Sequence, residues 1–299
     1  MGGVDTIHRR IVVGALLLAI HGAATAATPV SAAPQPILDD LRLKSNAVLV
    51  VDQDSGETLA MKNADAVVPI ASLTKVMTAL VIIDAGQPRD EILEITRDDI
   101  DRDKRTPSRL KVGTRLSRDD LLLLALMASE NRAAMTLSRN YPGGRPAFIG
   151  QMNAKASALG MRSTHFADPA GLSSRSVSSA RDLHLLLTAA HAQPLIRDYT
   201  TRHEHTVHLE HHRKLTFRNS NRLVRMAGNW NIELQKTGFT NEAGRCLVMQ
   251  VKVANRRLAM IFLDSVGKLT RYGDASRVRR RLELEERKHG HRRAVAEAS

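Results

Sequence analysis

The stretch "VPIASLTKVMTALVIID", Val68 to Asp84, puts a hydroxyl at Ser72 and an amine at Lys75, three residues apart. Leu73, Val76, Met77, Leu80 and Val81 follow helical spacing, so the run predicts a helix with a buried apolar face. Lys75 falls on the side of that helix that should meet the core. The first amides of a helix have no intrahelical acceptor and carry partial positive charge. A hydroxyl placed there can attack a carbonyl while its own amide donates to the developing oxyanion. Residues three apart share a helical face, so the Lys75 amine can reach the Ser72 hydroxyl. To take that proton the amine must be neutral part of the time, and burial or a neighbouring cation presses a lysine that way.

A serine and a lysine at this spacing also arise by chance, about once in a chain of this length. Ser265 and Lys268 in "DSVGK" are the control. They follow a strand-like run, enclose Gly267 and open no helix, so they read as a turn. Ser72 is distinguished by its partners further along. "MASENRAAM" supplies Ser129, Glu130 and Asn131 at the end of an apolar helix, a small hydroxyl and an amide on one short turn. "ELQKTGFTNEAG" supplies Lys236, Thr237 and Gly238 on a strand-like run before a turn. Lys236 can be the second cation that lowers the basicity of Lys75, and it can attract a substrate carboxylate. Thr237 adds a hydroxyl donor, and Gly238 lets substrate backbone approach the strand edge.

The surrounding sequence predicts an α+β domain. "NAVLVVDQDSGETLAMKN" reads as two strands around a turn at Asp54, Ser55 and Gly56. "SRDDLLLLALMAS" and "SARDLHLLLTAAHAQ" are helices with capping pairs at Ser117 and Asp120 and at Ser179 and Asp182. "RPAFIGQMNAKASALG" is another helix, ended by Gly160. "CLVMQVKVANRRLAMIFLDSV" reads as two strands joined near Asn255. A hairpin, then helices, then strands implies an antiparallel sheet layered with helices.

The ends lie outside that core. His8, Arg9 and Arg10, the apolar run Ile11 to Ile20 and the small residues of "AATAA" form an export signal over residues 1–26. An uncleaved anchor is the alternative, but the run is shorter than the roughly 20 residues a bilayer requires, which favours cleavage after Ala26. Residues 27–40 read as a Pro- and Ala-rich linker, 41–272 as the catalytic domain, and 273–299 as a basic tail in a solvated helix. The single cysteine, Cys246, rules out an internal disulfide and reads as a small buried hydrophobe. The net charge of +13 at pH 7 draws the surface toward anionic polymers or lipid head groups, giving peripheral contact rather than a membrane span. No nucleic-acid-binding motif accompanies that charge. His203, His205, His208, His211 and His212 lack an H-E-x-x-H or a third-ligand pattern, so they read as a polar exposed hairpin rather than a metal site. Trp230 reads as a packing residue, with the cleft wall as the alternative.

The S-x-x-K, S-x-N and K-T-G elements, in that order, are the signature of serine β-lactamases and penicillin-binding proteins. With "PIASLTKVMTA", "LLLALMASENRAA", "YPGG", "FRNSNRLV" and "NWNIELQKTGFTNEAGRCLVM", the chain resembles the D-alanyl-D-alanine peptidase family of low-molecular-mass penicillin-binding proteins from about Asn46 to Tyr272. The resemblance implies a DD-peptidase-like fold, an antiparallel sheet flanked by helices with a helical subdomain. It implies acyl transfer without a cofactor on the cross-linked peptides of peptidoglycan, in the periplasm, with β-lactams as covalent inhibitors. Ser72 then matches the nucleophile, Lys75 the general base and Ser129 the proton relay. Asn131 matches the holder of the substrate amide, and Lys236 and Thr237 the substrate clamp. The amides of Ser72 and Phe239 match the oxyanion donors. Glu130 stands at a variable position without a direct catalytic role.

After Arg271 only a short basic tail remains where the related carboxypeptidases carry a further domain, which favours the endopeptidase branch. Glu204 and Glu210, which precede the Lys236 strand, do not stand in the E-x-x-L-N setting of class A β-lactamases, so slow covalent inhibition is expected in place of fast penicillin hydrolysis. The rivals are a carboxypeptidase that trims terminal D-alanine and a catalytically slow wall-binding protein.

Overall fold

The structure is a computed structural model and describes Gly2, Leu38 and residues 40–297 apart from 211 and 227–229, with side chains described as far as 288. The export-signal reading of residues 1–26 falls, Gly2 aside, outside the described residues, as does most of the 27–40 linker. Leu38 and Asp40 are the described part of that linker, and both are docked. Leu38 is buried and its amide donates to the Leu59 carbonyl at 2.8 Å, while Asp40 pairs with Arg281 at 2.7 Å.

The chain opens with the expected hairpin, β1 (Ser45–Asp52) and β2 (Thr58–Lys62), followed by the short β3 (Val68–Pro69) and α1 (Thr74–Asp84). A charged segment carries β4 (Ile92–Glu94) and β5 (Arg115–Ser117). Helices α2 (Arg118–Met127), α3 (Asn131–Arg139) and α4 (Gly144–Ala158) come next, and Gly160 leaves the last of them at φ +78°. The short β6 (Val177–Ser178), which pairs with β3, precedes α5 (Ala180–His191) and α6 (Pro194–Thr201). Ser117 and Ser179 cap α2 and α5 by accepting from the amides of Asp120 and Asp182. The hairpin β7 (Glu204–His208) and β8 (Lys214–Arg218) leads through α7 (Arg222–Arg225) into β9 (Asn231–Thr240), β10 (Gly244–Val253) and β11 (Arg256–Ser265), and α8 (Thr270–Glu297) follows.

The main sheet has the order β2-β1-β11-β10-β9, antiparallel throughout, with β9 at one edge. The β10–β11 turn falls at Ala254 and Asn255, both with positive φ, as a tight two-residue hairpin requires. Residues alternate between the faces. Ala47, Leu49, Val248, Ile261 and Leu263 pack with α1 to α6 in one core, while Val48, Val50, Met249, Met260 and Phe262 pack in a second core on the opposite face. Burial on both faces explains why the strands read as nearly unbroken apolar runs.

The second core continues past residue 272. Tyr272, Ala275, Val278 and Leu282 of α8 lie on the sheet, and Ala275 and Val278 are completely buried. The buried Asp274 carboxylate accepts from the Ser45 amide at 2.8 Å and so pins the helix to β1. The first turns of α8 therefore belong to the folded domain, because its apolar residues recur at helical spacing among the charges.

Candidate active site

Ser72 sits in a single 3₁₀ turn, Ala71–Leu73, that runs directly into α1. Ala71 holds φ at +47°, a left-handed conformation that a residue with a Cβ adopts only at an energetic cost of about 1–3 kcal/mol. Lys75 is completely buried, and its Nζ lies 2.8 Å from Ser72 Oγ, 2.7 Å from Asn131 Oδ1 and 2.7 Å from the Ala170 carbonyl. Three acceptors surround the amine. In its neutral form it donates to Asn131 and Ala170 and accepts the Ser72 hydroxyl proton, which is the geometry of a base. Burial lowers its pKa from 10.5 to about 7, and the carboxylates of Asp168 and Glu130 keep it from falling further.

Ser129 and Asn131 stand where α2 turns into α3. Ser129 holds φ at +62°, and the Glu130 amide donates back to Leu124 O at 3.1 Å, which fixes the turn. Glu130 caps α3 by accepting from the Arg132 amide, so its side chain is bonded to the helix and acts on Lys75 through its charge. Asn131 joins two neighbours: Oδ1 accepts from Lys75, and Nδ2 donates to Thr106 Oγ1 at 2.9 Å. Thr106 is a neighbour that sequence reasoning missed. It belongs to a loop wound around the Asp101 carboxylate, which accepts from the amides of Asp103, Lys104 and Thr106. An Asp before a run of polar residues was the available signal.

The third segment is the edge strand β9. Lys236 is also completely buried, and its Nζ donates to Ser129 Oγ at 2.8 Å and to the Thr237 carbonyl at 2.9 Å. Its pKa is driven down by burial first and by the charge of Lys75 second. Sequence reasoning gave Lys236 the task of lowering Lys75. In the structure burial does most of that work for both amines, and repulsion between the two opposes simultaneous protonation. Thr237 Oγ1 lies 2.8 Å from Ser220 Oγ, a contact supplied by the "FRNSNRLV" stretch.

Gly238 also lies close against the protein's own backbone. A Cβ there would stand 2.9 Å from the Ile70 carbonyl and 3.3 Å from the Ser72 amide nitrogen. Its bare backbone lets β9 close against the Ser72 turn, and so brings the strand that carries Phe239 beside the Ser72 amide. Phe239 itself is 50% exposed, with the Arg245 guanidinium 4.1 Å above its ring.

The structure thus gathers Ser72, Lys75, Ser129, Asn131, Lys236 and Thr237 from three distant segments, and it separates them from the control pair. Ser265 is buried at the end of β11, 2.7 Å from Ser45 Oγ. Cys246 is buried in β10, where burial pushes its thiol up to about 11, away from reactivity. Trp230 packs with the second core, under the guanidinium of Arg279, and not in the cleft. His203, His205 and His208 flank or lie on the β7–β8 hairpin, where His205 bonds to Asp120 at 2.8 Å; His211 lies outside the described residues. Among the described residues no three His, Cys, Asp or Glu side chains gather as a metal site. Glu204 pairs with Arg218, and Glu233 with His191 and Lys252, so these carboxylates are engaged elsewhere. A cavity of about 610 Å³ is lined by Asp101, Arg102, Asp168, Leu172, Ser173 and Arg175 among others, and it shares the 168–173 turn with Lys75.

The sequence pattern of the D-alanyl-D-alanine carboxypeptidase family matches residues 30–267. A D-alanyl-D-alanine endopeptidase of Pseudomonas aeruginosa is 49% identical over 86% of this chain and 84% of its own length. The D-alanyl-D-alanine endopeptidase of Escherichia coli is 44% identical over 90% of this chain and 86% of its own. Among solved structures, penicillin-binding protein D2 of Listeria monocytogenes in its cefotaxime-bound form superposes with a TM-score of 0.70 at 30% identity. That match covers 84% of this chain and 99% of the other.

Proposed function

This chain belongs to the D-alanyl-D-alanine carboxypeptidase family, and from that premise we propose that it cleaves D-alanyl peptide cross-links of peptidoglycan through an acyl-enzyme on Ser72. The observation that carries the reading is the contact of a fully buried amine, Lys75, with the Ser72 hydroxyl at 2.8 Å. Neutral Lys75 takes the hydroxyl proton as Ser72 Oγ bonds to the D-alanyl carbonyl carbon. The amides of Ser72 and Phe239 receive the oxyanion. The tetrahedral adduct then breaks its C–N bond, and Ser129, held by Lys236, passes a proton to the departing amine and is refilled by the proton on Lys75, which becomes neutral again. Asn131 and Thr237 hold the peptide along the β9 edge, where Lys236 supplies positive charge for a substrate carboxylate. Water then adds to the ester carbonyl as Lys75 takes its proton, and Lys75 returns that proton to Ser72 Oγ as the ester C–O bond breaks.

β-Lactams enter the same reaction and leave a slow ester on Ser72. The cefotaxime-bound form of the Listeria relative supports this, as does the engagement of Glu204 and Glu233 away from the site. The names of the two relatives favour an endopeptidase, whereas the family's description favours trimming of terminal D-alanine. Digestion of purified cross-linked peptidoglycan separates the readings. Release of monomers from dimers is expected; free D-alanine as the main product would transfer the assignment to a carboxypeptidase, and no product would leave a wall-binding protein. We further propose export through residues 1–26 to the periplasm, and attraction of the basic surface to anionic polymers or lipid head groups. No helix among the described residues is long and apolar enough to cross a membrane.

A further inference from the structure

We propose that Asp168 is a positioning residue for Lys75: its carboxylate folds the 168–173 turn that presents the Ala170 carbonyl to the amine. Asp168 Oδ1 accepts from the amides of Ala170, Gly171 and Leu172 at 2.8, 2.6 and 3.1 Å. Its Oδ2 accepts from the Ser173 amide at 3.0 Å and the Ser176 hydroxyl at 3.0 Å. Two carboxylate oxygens offer about four lone-pair sites, so these donors saturate the group and leave nothing to activate a water molecule. Its work is the shape of the turn.

That turn grips the nucleophile's element at three points. The Pro169 carbonyl accepts from Thr78 Oγ1 at 2.6 Å, one helical step beyond Lys75. The Ala170 carbonyl accepts from Lys75 Nζ at 2.7 Å. Gly171, at φ +74°, packs so closely that a Cβ would stand 1.9 Å from the Ala71 carbonyl, next to Ser72. Loosening the turn therefore moves the base and the nucleophile's turn together.

The carboxylate also acts through its charge. Three ionisable groups face Lys75 from separate elements: Asp168 from the turn, Glu130 from the cap of α3, and Lys236 from β9. When Lys75 takes the Ser72 proton, an ammonium forms in a buried site, and the two carboxylates stabilise it against Lys236. The inference rests on the acyl-transfer reading and adds a group that sets both the position and the proton affinity of its base.

The test is the rate of labelling of the full chain by a fluorescent penicillin from pH 5 to pH 9, with the labelled fraction recorded separately from the rate. In Asp168→Asn the amide NH₂ faces the Ser173 amide, so the turn loosens and the plateau rate falls about tenfold or more. The rising limb moves to lower pH by on the order of one unit, because a stabilising charge is gone. Asp168→Glu keeps the charge and misplaces it, so the limb stays and only the plateau falls. A merely structural role would reduce the labelled fraction of Asp168→Asn and leave the limb in place, and that result overturns the proposal. Should Asp168→Asn not fold, a wild-type plateau in Asp168→Glu overturns it. Absence of labelling in the wild-type chain would instead sink the acyl-transfer reading, so the two failures are distinguishable.

Discussion

Replacing Lys75 with methionine is expected to make the protein more stable while it stops reacting. Methionine fills a similar volume without a charge. The folded amine has a pKa of about 7 against the ordinary 10.5, so the folded state binds fewer protons and stability rises with pH between those values. The penalty is complete below pH 7 and gone above 10.5. Linkage puts it at about 4 kcal/mol at pH 7 and about 2 kcal/mol at pH 9. The substitution removes this cost but leaves Asn131 Oδ1 and the Ala170 carbonyl without their donor, which costs about 2 kcal/mol. A net gain of about 2 kcal/mol remains at pH 7 and almost none at pH 9. Relief of Lys236 from its like-charged neighbour acts in the same direction. Acylation by a labelled penicillin should fall by about 10²–10⁴-fold with the base gone. Thermal unfolding at both pH values, with labelling kinetics on the same samples, is the assay. A variant that melts lower than wild type at pH 7, or one that labels at the wild-type rate, would refute the reasoning.

Ser72→Ala should abolish penicillin labelling with no loss of fold, while Ser265→Ala, which removes only the contact with Ser45, should label normally; gel fluorescence beside circular dichroism reads both. Gly238→Ala forces a methyl to within 2.9 Å of the Ile70 carbonyl, so β9 must move off the nucleophile's turn. Its labelling rate should fall at least about tenfold, measured at a temperature where the variant remains folded. Val278→Asp places a charge in the fully buried contact between α8 and the sheet and should cost about 3 kcal/mol or more in denaturant unfolding, whereas a solvated tail would show no change.

The site was largely legible because its chemistry is written in short local spacings. Ser72 and Lys75 needed only a helical turn to meet, and Lys236, Thr237 and Gly238 needed only an extended strand. The order of the three motifs then required them to converge. What stayed hidden depends on contacts that have no residue code. The Ala170 carbonyl that holds Lys75 is backbone, which any residue supplies, and the turn that aims it is set by Asp168 in an otherwise unremarkable "ADPAGL". Thr106 reaches Asn131 across a loop whose path no periodicity announces. The close approach of the Ile70–Ser72 turn to Gly238 is likewise a backbone contact that no residue code announces. The fold followed from alternation and capping residues, except at α8. There Tyr272, Ala275, Val278 and Leu282 carry the helical spacing of a buried face, and the surrounding arginines and glutamates masked it.

The central claim is that an amine closed off from water touches the Ser72 hydroxyl in its uncharged form near neutral pH. Titration of ¹³C-labelled lysine ε-carbons by NMR reads this directly. The account predicts a resonance with a midpoint close to pH 7 that disappears in Lys75→Met. Lys236, lowered by the same burial, gives a second depressed resonance that persists in that variant. If every lysine titrates near its ordinary value, or Lys75→Met removes neither depressed resonance, Lys75 is not the base.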